Sequence, residues 1–285
     1  MKTPLEIRYI NLEESVERRA RLTADFRAKG IEKAVKRQPA IKPDEGFKSL
    51  TRGEYGCLLS HKAALMSARK GQSILILEDD VLLASEFVIR LAALWKNLSE
   101  TGWDILFLGQ TVPYFEIDLI RKLLQKKWEW EGRSGNPSRP PGLLEGSVWY
   151  RWGAFAYIVN GASVERIASH FDAPESLSSP IPVDLAFKKW AREGKLRSLI
   201  AFPYLVGIND DNPTTMEDRE DPVTHGLHAG LVNLFLLGHQ AQITESEAKY
   251  IESSGMDRDA FIVSRAIGRR ISADAQSVKA ATRDQ

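Results

Sequence analysis

Residues 73–87 read SILILEDDVLLASEF. Four apolar residues, Ile74 to Leu77, run straight into Glu78, Asp79 and Asp80, and apolar residues resume at Val81. Three carboxylates crowded at one point repel one another unless something positive sits among them. Three kinds of chemistry would use such a knot. The first is turn chemistry, with an Asp accepting from the backbone N–H groups of the next helix. The second is a hard-cation site, because Mg²⁺ or Mn²⁺ favours carboxylate oxygens and completes its shell with phosphates. The third is an aspartyl-phosphate chemistry with an Asp as nucleophile. That chemistry wants an Asp at the first position of an acid-x-acid pair, where this chain has Glu78. The cation accounts best for the crowding, since it offsets the repulsion and links carboxylates to a nucleotide diphosphate.

The elements that must hold these acids are legible around them. LEIRYINL reads as a β-rich run and EESVERRARLTADFRAKG as a helix stopping at Gly30, with Val16, Ala20 and Phe26 sharing part of a face. AVKRQPAI is a second extended segment. Thr51 followed by Glu54 is a capping-box pair, and its helix is expected to reach about Lys70 before Gly71. SILILE is apolar throughout, as a strand buried on both faces of a parallel sheet must be. SEFVIRLAALWKNL reads as an amphipathic helix and WDILFLG as another buried strand. GAFAYIVN and LRSLIAFP read as strands, GASVERIASHF and VDLAFKKWAREG as helices. The alternation predicts an α/β fold with a mostly parallel central sheet flanked by helices. Strand-end acids in such a sheet stand where ligands bind.

Regularity is expected to fail from about Gln110 to Gly146, which includes KKWEWEGRSGNPSRPPG. A loop of that length inside a compact domain is functional or mobile. The expected organisation is one domain over 1–225, with 110–146 as its insertion, and a helical extension over 226–285 with a frayed end.

The totals set limits. With 285 residues and a formal net charge of +1, the chain has no global field to recruit nucleic acid. A single cysteine, Cys57, rules out an internal disulfide and a multi-cysteine zinc site. Cys57 lies in the apolar run YGCLLSHKAAL and reads as a small buried hydrophobe. The opening MKTPLEIRYINLEESVERR has neither the apolar core nor the cleavage site of a signal peptide. No stretch approaches the ~20 apolar residues that span a bilayer, LVNLFLLG at 231–238 being too short. The expectation is a cytoplasmic protein, soluble or peripheral at the inner face of the membrane.

Read in order, YINLEESVERRARL (9–22), RQPAI (37–41), LTRGEYGCLLSHKAAL (50–65), ILILEDDV (74–81), WDILFLG (103–109), GAFAYIVNGAS (153–163) and PVDLAF (182–187) resemble glycosyltransferase family 25. That family holds bacterial lipooligosaccharide galactosyltransferases and collagen galactosyltransferases. The resemblance implies a GT-A-type, Rossmann-like fold, a UDP-sugar donor, usually UDP-galactose, a divalent Mn²⁺ or Mg²⁺ and an inverting transfer. It sets Glu78, Asp79 and Asp80 where the family has its DxD-like acids. Asp80 would be the direct metal ligand, and Glu78 would meet the ribose or the metal. Asn11 and Arg18 resemble the donor-side motif, although Asn11 can equally cap the first helix and Arg18 can be a solvated charge. His61, one turn after Cys57, is a donor contact or a satisfied core residue. Asp184 matches a late acidic motif and would be the base that deprotonates the acceptor hydroxyl, or an acid stabilising a helix N-terminus. Past Tyr204 the pattern departs from the family, and Asp210, Asp211 and His225 are open candidates for a further ligand.

The acceptor implied is a glycan or lipid-linked glycan such as lipopolysaccharide. RKLLQKKWEW would rest on an anionic membrane or stack a sugar on Trp128 or Trp130, or be a solvated helix with its aromatics inward. LHAGLVNLFLLGHQA would pack on the core or form an oligomer contact. Two other functions use the same acids: a Mg²⁺-dependent phosphatase or phosphotransferase, and a sugar-nucleotide-binding protein without turnover.

Overall fold

The computed structural model describes residues 5–98, 102–112, 116–132, 139–209 and 245–255. Its strands are β1 (Glu6–Asn11), β2 (Val35–Pro39), β3 (Ile74–Glu78), β4 (Val81–Leu83), β5 (Ile105–Phe107), β6 (Gly142–Glu145), β7 (Ala156–Val159), β8 (Ser198–Phe202) and β9 (Val206–Ile208). Helices in chain order are α1 (Val16–Ala28), α2 (Arg52–Met66), α3 (Phe87–Asn97), α4 (Ile117–Gly132), α5 (Gly146–Trp149), α6 (Val164–His170), α7 (Pro174–Ser178), α8 (Val183–Arg192) and α9 (Glu245–Ser254).

Seven strands form one sheet in the order β2-β1-β3-β7-β5-β8-β6, and β4 pairs with β9 separately. β1 runs parallel to β2 and β3, and β5 parallel to β8. β7 lies antiparallel between β3 and β5, and β6 closes the edge antiparallel to β8. The sheet is therefore mostly parallel, with one reversed strand at its centre. The C-terminal ends of β1 and β3 share one edge, and the N-terminal end of β5 lies on the other.

The apolar run of β3 is explained by its two packed faces. Ile74 and Ile76 join the cluster containing Leu65 of α2, Ile167 of α6 and Phe187 of α8. Leu75 and Leu77 join the cluster with Leu22 and Phe26 of α1 and Phe87 of α3. All four are fully buried. Alternation along a strand sends successive side chains to opposite faces, so both faces demand apolar residues.

α1 turns Leu22 and Phe26, four residues apart, inward and leaves Val16 exposed. α2 has the expected capping box at Thr51 and Glu54 but stops at Met66, short of Lys70. The largest difference from expectation lies within 110–146, where the chain builds α4 and the edge strand β6 instead of staying irregular. Leu119 and Leu123 are the reason: four residues apart on a helix, they share one face and both are buried. Of the expected 226–285 extension, α9 is the described part. Asp210, Asp211, His225 and the LVNLFLLG run lie outside the described residues.

Candidate active site

The pleat of β3 splits the acid knot in two. Glu78 has the parity of Ile76 and meets α2, whereas Asp79 has the parity of Leu77 and meets α1. The Asn11 amide donates to Asp79 Oδ2 at 2.7 Å and Arg18 donates to Oδ1 at 3.0 Å. Arg37 donates to Asn11 Oδ1 at 2.9 Å and to the Asn11 carbonyl at 3.1 Å. The amide of Asn11 also reaches the Ser15 carbonyl at 3.1 Å, just before α1 begins. Asp79 is thus a buried, saturated carboxylate that ties β1, α1 and the β3 turn together. Asn11 and Arg18, read from sequence as donor contacts, are joined to Asp79 in one network. Arg18 alone reaches further, to Asp80 Oδ2 at 3.8 Å.

Glu78 and Asp80 are different. Glu78 Oε1 faces His61 Nε2 at 3.2 Å, and His61 Nδ1 shares a 2.8 Å hydrogen bond with the Tyr157 hydroxyl. His61 is buried, its ring stacked on Tyr157. The Asp80 side chain keeps 25% of its surface open, yet its Oδ1 is sealed and has no hydrogen-bond partner. Burial, then the charge of Glu78, push the Asp80 carboxyl up to about 7, against the pull of Arg18. Arg18 reaches only Oδ2, so the orphaned buried Oδ1 beside a second carboxylate fits the divalent ion that the resemblance implies.

Asp184 is in the first turn of α8. The Gly153 N–H donates to its Oδ2 at 3.2 Å and the Leu185 N–H to its Oδ1 at 2.8 Å. Gly153 reaches this pose with φ at +101°, and a Cβ there would stand 2.8 Å from the Phe155 ring. Burial raises the Asp184 carboxyl above its usual range; the two N–H groups oppose that rise and the charge of Glu78 adds to it. Glu78, Asp80 and Asp184 therefore share one electrostatic neighbourhood at the C-terminal end of β3: burial, and after it the charges of Glu78, Asp184 and Asp80, push the Cys57 thiol up. Cys57 is half-buried against the core.

Sequence reasoning missed the tyrosines. Tyr157 had a signal: a hydroxyl inside a doubly buried strand needs a partner, and His61 is that partner. Tyr150 had none. It stacks on Phe107 with centroids 3.9 Å apart, its hydroxyl is buried without a partner, and the charges of Asp184 and Glu78 both act on it. Trp152 is a third addition, lying under Lys188 Nζ at 5.4 Å, one turn along α8 from Asp184.

A family model described as glycosyltransferase family 25 (LPS biosynthesis protein) matches residues 5–118. Procollagen galactosyltransferase 2 of Homo sapiens is 29% identical over 105 residues, 35% of this chain and 16% of that protein. The Mus musculus protein of that name is 28% identical over 105 residues. Inactive glycosyltransferase 25 family member 3 of Homo sapiens is 37% identical over 76 residues, 25% of this chain and 13% of that protein. The matched stretches cover less than a fifth of these relatives' length. α1, α2, β3 and the three acids after Leu77 all fall inside the matched segment, so the part of the chain that builds the candidate site is the part similar to glycosyltransferase family 25.

Proposed function

We propose that the protein is a metal-dependent, inverting hexosyltransferase that moves galactose from UDP-galactose to a glycan acceptor of the lipopolysaccharide type. The observation that carries this reading is the sealed, partnerless Oδ1 of Asp80 beside Glu78 at a strand end. Asp80 and Glu78 would hold Mn²⁺ or Mg²⁺, whose charge stabilises the departing diphosphate. The family description, with its mention of LPS biosynthesis, and the relatives' names support the transfer, the sugar and the acceptor class.

The chain's own residues have separable tasks. Asp184 takes the proton from the acceptor hydroxyl as that oxygen attacks. Burial makes Asp184 a stronger base than a free Asp, and the N–H groups of Gly153 and Leu185 fix its plane. Arg18 lies between Asp79 and Asp80 and is placed to meet a donor phosphate. Trp152 and Lys188 form a wall beside Asp184 suited to a sugar ring. Leu143 of β6 and Val148 of α5 are 44% and 58% exposed, and Val148 directly precedes Trp149, whose ring lies under Lys126 Nζ. That pairing of apolar and basic groups suits contact with an anionic membrane face, as a cytoplasmic enzyme with a lipid-linked acceptor requires. No helix among the described residues is long and apolar enough to cross a membrane.

The test is thermal stabilisation by UDP-galactose with and without Mn²⁺, then the same assay on Asp80→Ala. A ligand bound only by the folded state raises the melting temperature. Stabilisation that needs both UDP-galactose and Mn²⁺ and is lost in Asp80→Ala supports the reading. Undiminished stabilisation and transfer in Asp80→Ala would sink it. The relative named inactive motivates a second reading, a protein that binds the donor without turnover. Wild type that binds UDP-galactose with Mn²⁺ but yields no transfer or hydrolysis would favour it.

A further inference from the structure

Cys57, His61 and Glu78 each offer one ligand atom, and these atoms lie within 4.8 Å of one another. Cys57 and His61 are four residues apart on α2, so one face of the helix presents both. Glu78 arrives from the end of β3 with its Oε1 3.2 Å from His61 Nε2. The side on which His61 meets Tyr157 completes the pattern. A metal-bound imidazole uses one nitrogen for the ion and donates its other N–H to an oxygen. The Tyr157 hydroxyl, 2.8 Å from Nδ1, can accept that N–H or donate to the bare nitrogen, so the ring can present Nε2 with or without a proton.

We propose that Cys57, His61 and Glu78 form a binding site for a thiophilic divalent cation of the zinc class, distinct in chemistry from the hard Mg²⁺ or Mn²⁺ proposed at Asp80. A thiolate, an imidazole and a carboxylate are the three ligand types zinc takes, and three protein ligands leave a fourth position open. Tetrahedral zinc holds neighbouring ligand atoms roughly 3.5 Å apart, so no pair of the three needs to close by more than about 1.3 Å. Neutral thiol and buried imidazole are a poor resting partner for the surrounding carboxylates, whereas a dication answers all of them. When the metal–sulfur bond forms, the Cys57 proton leaves to solvent. The sulfur is what separates the two ions, because Mg²⁺ and Mn²⁺ have little preference for it. Glu78 would serve either ion, so a zinc-class cation here competes with the hard ion for that carboxylate. The site rests on the geometry of α2, β3 and β7 and not on the transfer reaction.

The experiment uses the full chain, freed of metal and titrated with Co²⁺ as a spectroscopic stand-in for zinc. The chain has one cysteine, so any thiolate-to-cobalt charge-transfer band reports Cys57 alone. The expected result is a near-ultraviolet band that rises to one equivalent and is abolished by added Zn²⁺. Cys57→Ser should lack the band while keeping the wild-type circular dichroism. His61→Gln should bind Co²⁺ at least about 10-fold more weakly. Zn²⁺ should raise the melting temperature of wild type more than of either variant. Cobalt that binds wild type without the band, or that binds His61→Gln as tightly as wild type, overturns the proposal. Should Cys57→Ser not fold, the wild-type band, its displacement by zinc and the His61→Gln titration still decide.

Discussion

The two edges of the sheet each hold a buried acid, and they treat it in opposite ways. On the edge where β5 begins, Asp104 is 2% exposed and fully answered. Its oxygens accept from the Ser163 hydroxyl at 2.7 Å, the Arg197 N–H at 2.8 Å and the Arg166 guanidinium at 2.7 Å. Burial pushes its carboxyl up, but these donors outweigh burial and hold it down at about 2. On the edge where β3 ends, Asp80 has a sealed oxygen with no donor and a carboxyl pushed up to about 7. One edge uses its charge to fasten β5, α6 and β8 together. The other keeps negative charge in excess, which lowers stability and is useful only with a positive ligand. The contrast supports reading Asp104 as a structural acid and Asp80 as the proposed ligand-binding one.

The largest effect should fall on chemistry at the uncompensated edge. Asp184→Asn keeps the shape of the side chain and, through its one amide oxygen, the bond from the Leu185 N–H of α8, but removes the proposed base. Transfer to acceptor should fall by about 10²–10⁴. Chemical denaturation should show a midpoint near that of wild type. A midpoint that falls with the rate would make Asp184 an N-terminal stabiliser of α8 and move it into the company of Asp104.

At the compensated edge the same kind of change should do the reverse. Asp104→Asn removes the charge that two arginines share. The guanidinium groups of Arg166 and Arg197 still reach water, 42% and 63% exposed, which limits the loss. A cost of roughly 2–3 kcal/mol is expected, read from the urea midpoint at constant slope. Transfer by the folded enzyme should be unchanged within about 2-fold, since this edge lies across the sheet from the site.

How much of this contrast was readable beforehand follows from what each acid interacts with. The run ILIL before three acids announced β3 and its end, because a strand buried on both faces has to be apolar throughout. Thr51 and Glu54 announced α2 for a similarly local reason. The division of labour between Asp79 and Asp80 could not be seen, as it depends on Asn11 of β1 and Arg18 of α1 arriving from elsewhere to answer both oxygens of one acid and not those of its neighbour. Asp104 sits in WDILFLG with no local partner. Ser163, Arg166 and Arg197 reach it only because β5 lies beside β7 and β8. α4 was legible only in part: RKLLQKKWEW admitted a helix, but the Pro- and Gly-rich residues after Trp130 extend the irregular composition of 110–146 and mask the Leu119 and Leu123 spacing that precedes them.

A smaller effect, but the one that tests the comparison most directly, is the response to pH. Asp104 has a folded pKa of about 2 against its ordinary 3.8, so the unfolded chain binds more protons there between those values. Its stabilisation is complete above about 3.8 and disappears as the pH falls towards 2. The loss is about 2.5 kcal/mol if one unit is worth about 1.4 kcal/mol. Asp80 is displaced upward, from 3.8 to about 7, so here the folded chain binds more protons. The cost of its charge is absent below about 3.8 and grows as the pH rises to 7. Asp80→Asn should therefore match wild type in stability near pH 4 and exceed it at pH 7.5 by on the order of 1 kcal/mol without divalent metal. Mn²⁺ with UDP should close or reverse that gap, because only wild type keeps the carboxylate that answers the ion. Denaturation midpoints across pH 2–8 for wild type, Asp104→Asn and Asp80→Asn separate the two windows. An Asp80→Asn variant that is less stable than metal-free wild type at pH 7.5 would mean that the pull of Arg18 outweighs burial and the charge of Glu78, and that the two edges do not differ.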